Sequence, residues 1–154
     1  MTLSDLLTLD SVRVVASITS KKRLFNTLGD FAAEVHGLDS EMTSEALMVR
    51  EKLGPTGVGH GVALPHARLD GLDRVRGLFL KLEHPVDFAS VDRQPVDLVF
   101  CLLAPSSAGV EHLKALASVS RTLRDPELCA KLRANDHPQT LHAVLTDRSV
   151  TRAA

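Results

Sequence analysis

Apolar residues change their spacing several times along the chain, and each change predicts a new element. Leu24, Phe25, Leu28, Phe31, Ala32 and Val35 recur at helical intervals, with Ser20 placed to cap the first turn and Gly37 to stop the last. A brief helical turn over 3–7 and a strand over 11–16 precede this helix, and a second helix over 40–53 runs into Gly54-Pro55. Strands are expected over 62–64, 75–82 and 96–103, the last two rich in aliphatic residues and bounded by turn formers. Helical patterns then cover 109–124, 126–134 and 138–146, with Pro126 and Pro138 suited to first turns. Helices, then strands, then helices predict an α/β fold of one domain, a mixed β-sheet covered by helices on both faces. The domain is expected to span 1–147, with 148–154 as a frayed C-terminal tail.

Composition narrows the classes of partner. Lys plus Arg number 18 against 19 Asp plus Glu, so a net charge of −1 gives no bulk field for nucleic acid. The longest near-continuous apolar run, 98–105, is far short of the roughly 20 residues that cross a bilayer, so membrane insertion is not expected. Asp5 and Asp10 interrupt the N-terminus and argue against a signal peptide, which makes the expected location cytoplasmic. Cys101 lies in a strand pattern and Cys129 in a helix pattern, without metal-like spacing, and both read as buried free thiols.

Candidate chemistry concentrates in the segment from Gly57 through Gly59, His60 and Gly61 to Ala63-Leu64-Pro65-His66-Ala67-Arg68. Pro65 fixes its own φ and biases Leu64 towards an extended backbone, so His66 is delivered with little local freedom. The glycines allow a tight bend or close approach to a bound group. Residue types alone leave two readings equally open: a presented nucleophile, or a glycine turn entering an edge strand that ends in histidine. A dinucleotide-binding fingerprint does not fit, because that motif must open a helix and a proline follows here. His112 shares a helical face with Leu116, Val119 and Leu123, whereas Lys114, Ser118 and Arg121 fall on another; periodicity alone favours a core histidine. Arg50-Glu51, late in a helix, reads by itself as solvated surface. His60, His66 and His112 raise the question of zinc and of a metal-dependent hydrolase. The six-residue spacing of the first two and the lack of a singled-out third donor argue against it, and no metal is expected. His36, His84, His137 and His142 read as surface or helix-end residues.

Arg50-Glu51, Thr56-Gly57-Val58-Gly59 and Gly61-Val62-Ala63-Leu64-Pro65-His66 resemble the signature of a family. It is the enzyme IIA domain, mannitol/fructose class, of the bacterial phosphoenolpyruvate-dependent phosphotransferase system. The similarity continues through Pro85, Asp92, Gln94-Pro95-Val96-Asp97 and Glu111-His112-Leu113 and covers about residues 2–147. Leu3-Ser4-Asp5-Leu6-Leu7 and Thr19-Ser20-Lys21-Lys22 resemble its nitrogen-regulatory branch. The resemblance implies that His66 carries a phosphoryl group on Nε2, received from a small phosphocarrier protein, with His112 as the second histidine of the site. It also implies that Arg50 stabilises the phosphoryl group, a role for which a guanidinium fork is better suited than an ammonium. Arg68 is an auxiliary cation, where relatives often carry Lys, and Gly57, Gly59 and Gly61 are auxiliary turn or phosphate positions. Val62, Leu64, Leu69 and Leu72 are candidates for an apolar docking rim. No cofactor is implied. The function implied is regulation of nitrogen, carbon or potassium metabolism through phosphorylation-dependent binding, with targets such as a sensor kinase or a potassium transporter. The alternative is a phosphocarrier feeding a separately encoded fructose/mannitol-type sugar permease.

Overall fold

The computed structural model describes residues 1–147. The predicted tail, 148–154, lies outside the described residues. The elements are α1 (Leu3–Leu6), a 3-10 turn (Leu9–Ser11), β1 (Val12–Val15), α2 (Lys21–His36), α3 (Ser40–Lys52), β2 (Gly57–Gly59), β3 (Val62–Ala63), β4 (His66–Leu69), β5 (Arg76–Val86), β6 (Val96–Pro105), α4 (Val110–Leu123), α5 (Pro126–Arg133) and α6 (Pro138–Thr146). The caps follow from the residues at the boundaries: Ser20 Oγ accepts from Arg23 N at 3.1 Å. Gly37 closes α2 in the left-handed conformation, and the Asp39 side chain caps α3.

The sheet runs β1-β5-β6-β3-β2, with β4 also paired to β6. β5 and β6 are antiparallel, whereas β1 on β5 and both β3 and β4 on β6 are parallel, giving the mixed sheet that was expected. Both faces are covered. α1, α4, α5 and α6 bury Phe79, Leu98, Phe100 and Leu102 on one side, and α2 and α3 bury Leu78, Leu80, Val99, Cys101 and Leu103 on the other. The alternation along β5 also points Lys81 at the end of α5, where its Nζ donates to Arg133 O and Asp136 Oδ1, each at 2.9 Å. A buried cation thereby meets the orphan carbonyls of a helix C-terminus.

The strand expected over 62–64 resumes beyond Pro65, where His66 opens β4 rather than ending a strand. β3 and β4 keep the same offset to β6 on either side of Pro65, with Val62 against Leu98 and His66 against Leu102. Pro65 has no N–H to give, so it interrupts the ladder without shifting it. Its carbonyl still accepts from Leu102 N at 2.9 Å. Two strands escaped sequence reading: β2 is only a Gly-Val-Gly triplet, and β4 follows a proline.

Candidate functional site

His66 opens β4, and Arg68 points to the same side of that strand because successive side chains alternate. Opposite them α4 presents His112, which is only 6% exposed, and the two imidazole centroids lie 5.5 Å apart at 55°. From the other flank the last turn of α3 brings Arg50, whose Nε donates to His66 Nε2 at 3.2 Å and whose Nη1 donates to Gly54 O at 2.9 Å. Three residues distant in sequence thus converge on one groove of about 760 Å³.

The hydrogen bonds assign the state of His66. Leu64 O lies 2.9 Å from Nδ1 and can only accept, so Nδ1 carries the proton. Arg50 Nε can only donate, so Nε2 presents its lone pair to the groove. Burial pushes the His66 imidazole below its ordinary value, and the Arg50 charge acts in the same direction against the Leu64 bond and Glu51. Burial likewise lowers His112, aided by the charges of His66 and Arg68. Both rings are therefore held towards the neutral form, in which one nitrogen is nucleophilic.

His112 Nδ1 is buried without a hydrogen-bond partner among the described residues. Arg68 is exposed and forms no ion pair among them. His112 points inward with Val119 and Leu123, as its spacing predicts, but Ser118, placed by spacing on the outer face, is buried too. The buried stripe of α4 is wider than an inner and outer division allows, because Ala115 and Thr122 are buried with it.

The docking rim requires correction. Val62 and Leu64 are core residues away from the groove and Leu72 packs against the core, whereas Leu69, though buried, does line the groove. Met42, Val49, Leu53 and Leu113 form the exposed apolar rim instead, with Leu53 82% exposed. Helices supply this rim because strand residues beside Pro65 are needed inside.

Gly57, Gly59 and Gly61 do not line the groove. They build the hairpin before it. A Cβ on Gly57 would stand 2.2 Å from Ser90 Oγ, and one on Gly61, at φ +79°, would stand 2.6 Å from Arg133 Nη2. His60 occupies the turn at φ 57°, with its backbone N–H on Asp92 Oδ2 and its carbonyl under Arg133 Nη2. No cluster of three or more His, Cys, Asp or Glu able to hold a metal occurs among the described residues, and none of their helices is long and apolar enough to cross a membrane. Cys101 and Cys129 are free and buried. His36 does end α2, but is half-buried with Nε2 3.2 Å from Gly77 O, and His142 Nε2 is buried without a partner.

A mixed sheet between two helical layers, with paired histidines and an arginine at an open groove, defines a single-domain α/β protein built around an accessible imidazole. The chain belongs to the family of the phosphoenolpyruvate-dependent sugar phosphotransferase system, EIIA 2, whose profile matches residues 5–148. It is 45% identical over 153 residues to a nitrogen regulatory protein of Bradyrhizobium diazoefficiens, covering 99% of this chain and 100% of that one. A nitrogen regulatory protein of Escherichia coli K12 is 38% identical over 97% of this chain and 92% of its own. The crystal structure of nitrogen regulatory protein IIA-Ntr from Neisseria meningitidis superposes with a TM-score of 0.86 at 34% identity, covering 94% of this chain and 99% of that one. Family membership makes the chain a phosphotransfer component, and the similarity to regulatory proteins supports a regulatory role.

Proposed function

We propose that His66 Nε2 accepts a phosphoryl group from the phosphohistidine of a small phosphocarrier protein, and that the phosphorylation state then selects regulatory partners. One observation carries this reading: the two nitrogens of His66 are engaged oppositely, Nδ1 towards an acceptor and Nε2 towards a donor, so the lone pair lies on the groove side. The Nε2 lone pair attacks phosphorus as the nitrogen–phosphorus bond of the donor breaks and its electron pair returns to the donor imidazole. Transfer of this kind passes through a loose in-line transition state, so positioning and charge do most of the work. Arg50 Nε–H yields Nε2 to the incoming phosphorus and turns to the phosphoryl oxygens, while Gly54 O keeps the guanidinium in place. His112 is a second donor to those oxygens, and Arg68 an auxiliary cation. The proton stays on Nδ1, which donates it to Leu64 O as a hydrogen bond throughout.

Regulation follows from where the charge arrives. A phosphate adds about −1.5 to −2 at neutral pH in the middle of an apolar rim, Met42, Val49, Leu53 and Leu113, and so changes which surfaces can dock there. Regulatory targets such as a sensor kinase or a potassium transporter are read as partners of one state and not the other, and the protein acts in the cytoplasm. Incubation with phosphoenolpyruvate, enzyme I and the phosphocarrier should give one acid-labile phosphate per chain. His66→Ala should remove it and keep the fold; full labelling of that variant would falsify the assignment. Pull-downs with unmodified protein, His66→Ala and His66→Asp should return different partners. Identical sets containing only a sugar permease component would replace regulation by transport.

A further inference from the structure

We infer that Glu51 is a positioning residue that sets both nitrogen environments of His66 through the loop between α3 and β2, an inference that rests on His66 as the phosphoryl acceptor. The Glu51 side chain is 7% exposed and directs its hydrogen bonds to Thr56 rather than to either imidazole. Its carboxylate accepts from Thr56 N at 3.0 Å and from Thr56 Oγ1, and pairs with Lys21 Nζ at 2.6 Å. Lys21 itself lies 4.6 Å from the Phe88 ring centroid, which places the pair against a fixed wall.

From this anchor two arms reach His66. Thr56 O accepts from Leu64 N at 2.9 Å, and the carbonyl of that same Leu64 accepts the hydrogen bond from His66 Nδ1. Gly54 O, two residues before Thr56, accepts from Arg50 Nη1, and Arg50 Nε donates to Nε2. One carboxylate therefore holds the segment that supplies both the acceptor arm and the donor arm. Free imidazole in peptides favours the opposite tautomer, with the proton on Nε2, so keeping Nε2 bare requires a carbonyl held in place. Along this strand Gly61 O and Pro65 O turn to β6, so the alternating Leu64 N–H turns the other way and is held by Thr56 O. That is why a buried carboxylate is needed beside Arg50, and why the Arg-Glu pair works as a unit whose members face different groups.

The test reads the unphosphorylated protein first. Long-range nitrogen NMR on wild type should show His66 with its proton on Nδ1, and Glu51→Gln should yield a mixture of both tautomers. Steady-state transfer from the phosphocarrier should fall about 10- to 100-fold in kcat with KM little changed, since the apolar rim is untouched. Thr56→Val, which loses only the hydroxyl bond, should shift both readouts in the same direction by less, and Thr56→Ser should restore them. This pair decides the matter even where Glu51→Gln fails to fold. Glu34→Gln removes an equally short ion pair to Arg13 and should change neither readout. A wild-type tautomer and rate in Glu51→Gln and Thr56→Val would overturn the inference. Wild-type protein that takes no label on His66 would overturn the phosphoryl reading, while the tautomer measurement would still decide the positioning.

Discussion

Two polar clusters flank the glycine hairpin, and they differ in how completely their groups are satisfied. At the Arg133 end, Nε and Nη2 meet the two oxygens of Asp97, both at 2.9 Å, and Nη2 also reaches His60 O at 2.7 Å. Asp92 takes His60 N and Gln94 N. At the His66 end Arg68 forms no ion pair and His112 Nδ1 has no partner among the described residues, although the latter is buried. Each cluster combines histidine, arginine and nearby glycines, so composition does not separate them. Satisfaction does: closed hydrogen bonding marks a clasp, and groups left open around a groove mark a site prepared for something to arrive.

Removal of single donors around the groove separates the two clusters most sharply. Arg50→Ala should slow phosphoryl transfer roughly 10- to 100-fold, the loss of one charge-assisted bond in the transition state, with little change in urea stability. Arg50→Lys should recover only part, because an ammonium cannot form the planar fork. His112→Ala should slow transfer about 10-fold and leave the label on His66. Rapid-quench rates equal to wild type in all three would make the open cluster as structural as the closed one.

Arg133→Met should do the reverse. It leaves Asp97, whose side chain is 19% exposed, without its partner and frees the carbonyl of a turn residue held at positive φ. Because the guanidinium is itself 37% exposed, the loss should be about 1–2 kcal/mol in urea unfolding, with the transfer rate within about twofold of wild type. A large rate loss at full stability would show the clasp acting in the chemistry.

Sequence reading captured what local physics decides. The period of Leu24, Phe25, Leu28 and Phe31 specified α2, and the aliphatic runs specified β5 and β6, because burial on one face writes a repeat into the chain. The resemblance pointed to His66, Arg50 and His112, and the structure brings them together. What stayed hidden was set by tertiary contacts. Glu51 carries no local mark distinguishing a buried anchor from surface charge, since Thr56 and Lys21 reach it only in the folded chain. Val62 and Leu64 looked available as a rim because their strand could not be placed inside the sheet from a short stretch. The glycines were legible as bends but not as a hairpin clasped by Arg133.

The smallest effect concerns protons and separates the clusters by pH. His36, His66 and His112 all have lowered values, with burial the largest cause in each. For a histidine depressed below its ordinary 6.5, the unfolded chain binds protons first as pH falls, so stability is fully present above about 6.5 and is lost as pH drops through the folded values. Asp92, in the clasp, is lowered by the N–H groups of His60 and Gln94, so its contribution is present above 3.8 and lost only in stronger acid. Between pH 7.5 and 5.5 the urea midpoint should therefore fall, and His66→Gln or His112→Gln should flatten part of that slope, whereas Asp92→Asn should leave the slope unchanged. Proton NMR titration should place the His66 and His112 midpoints below 6.5, which keeps Nε2 unprotonated into mildly acidic conditions. Midpoints at or above 6.5 would mean that water reaches both rings freely, and the neutral nucleophile would then owe nothing to its burial.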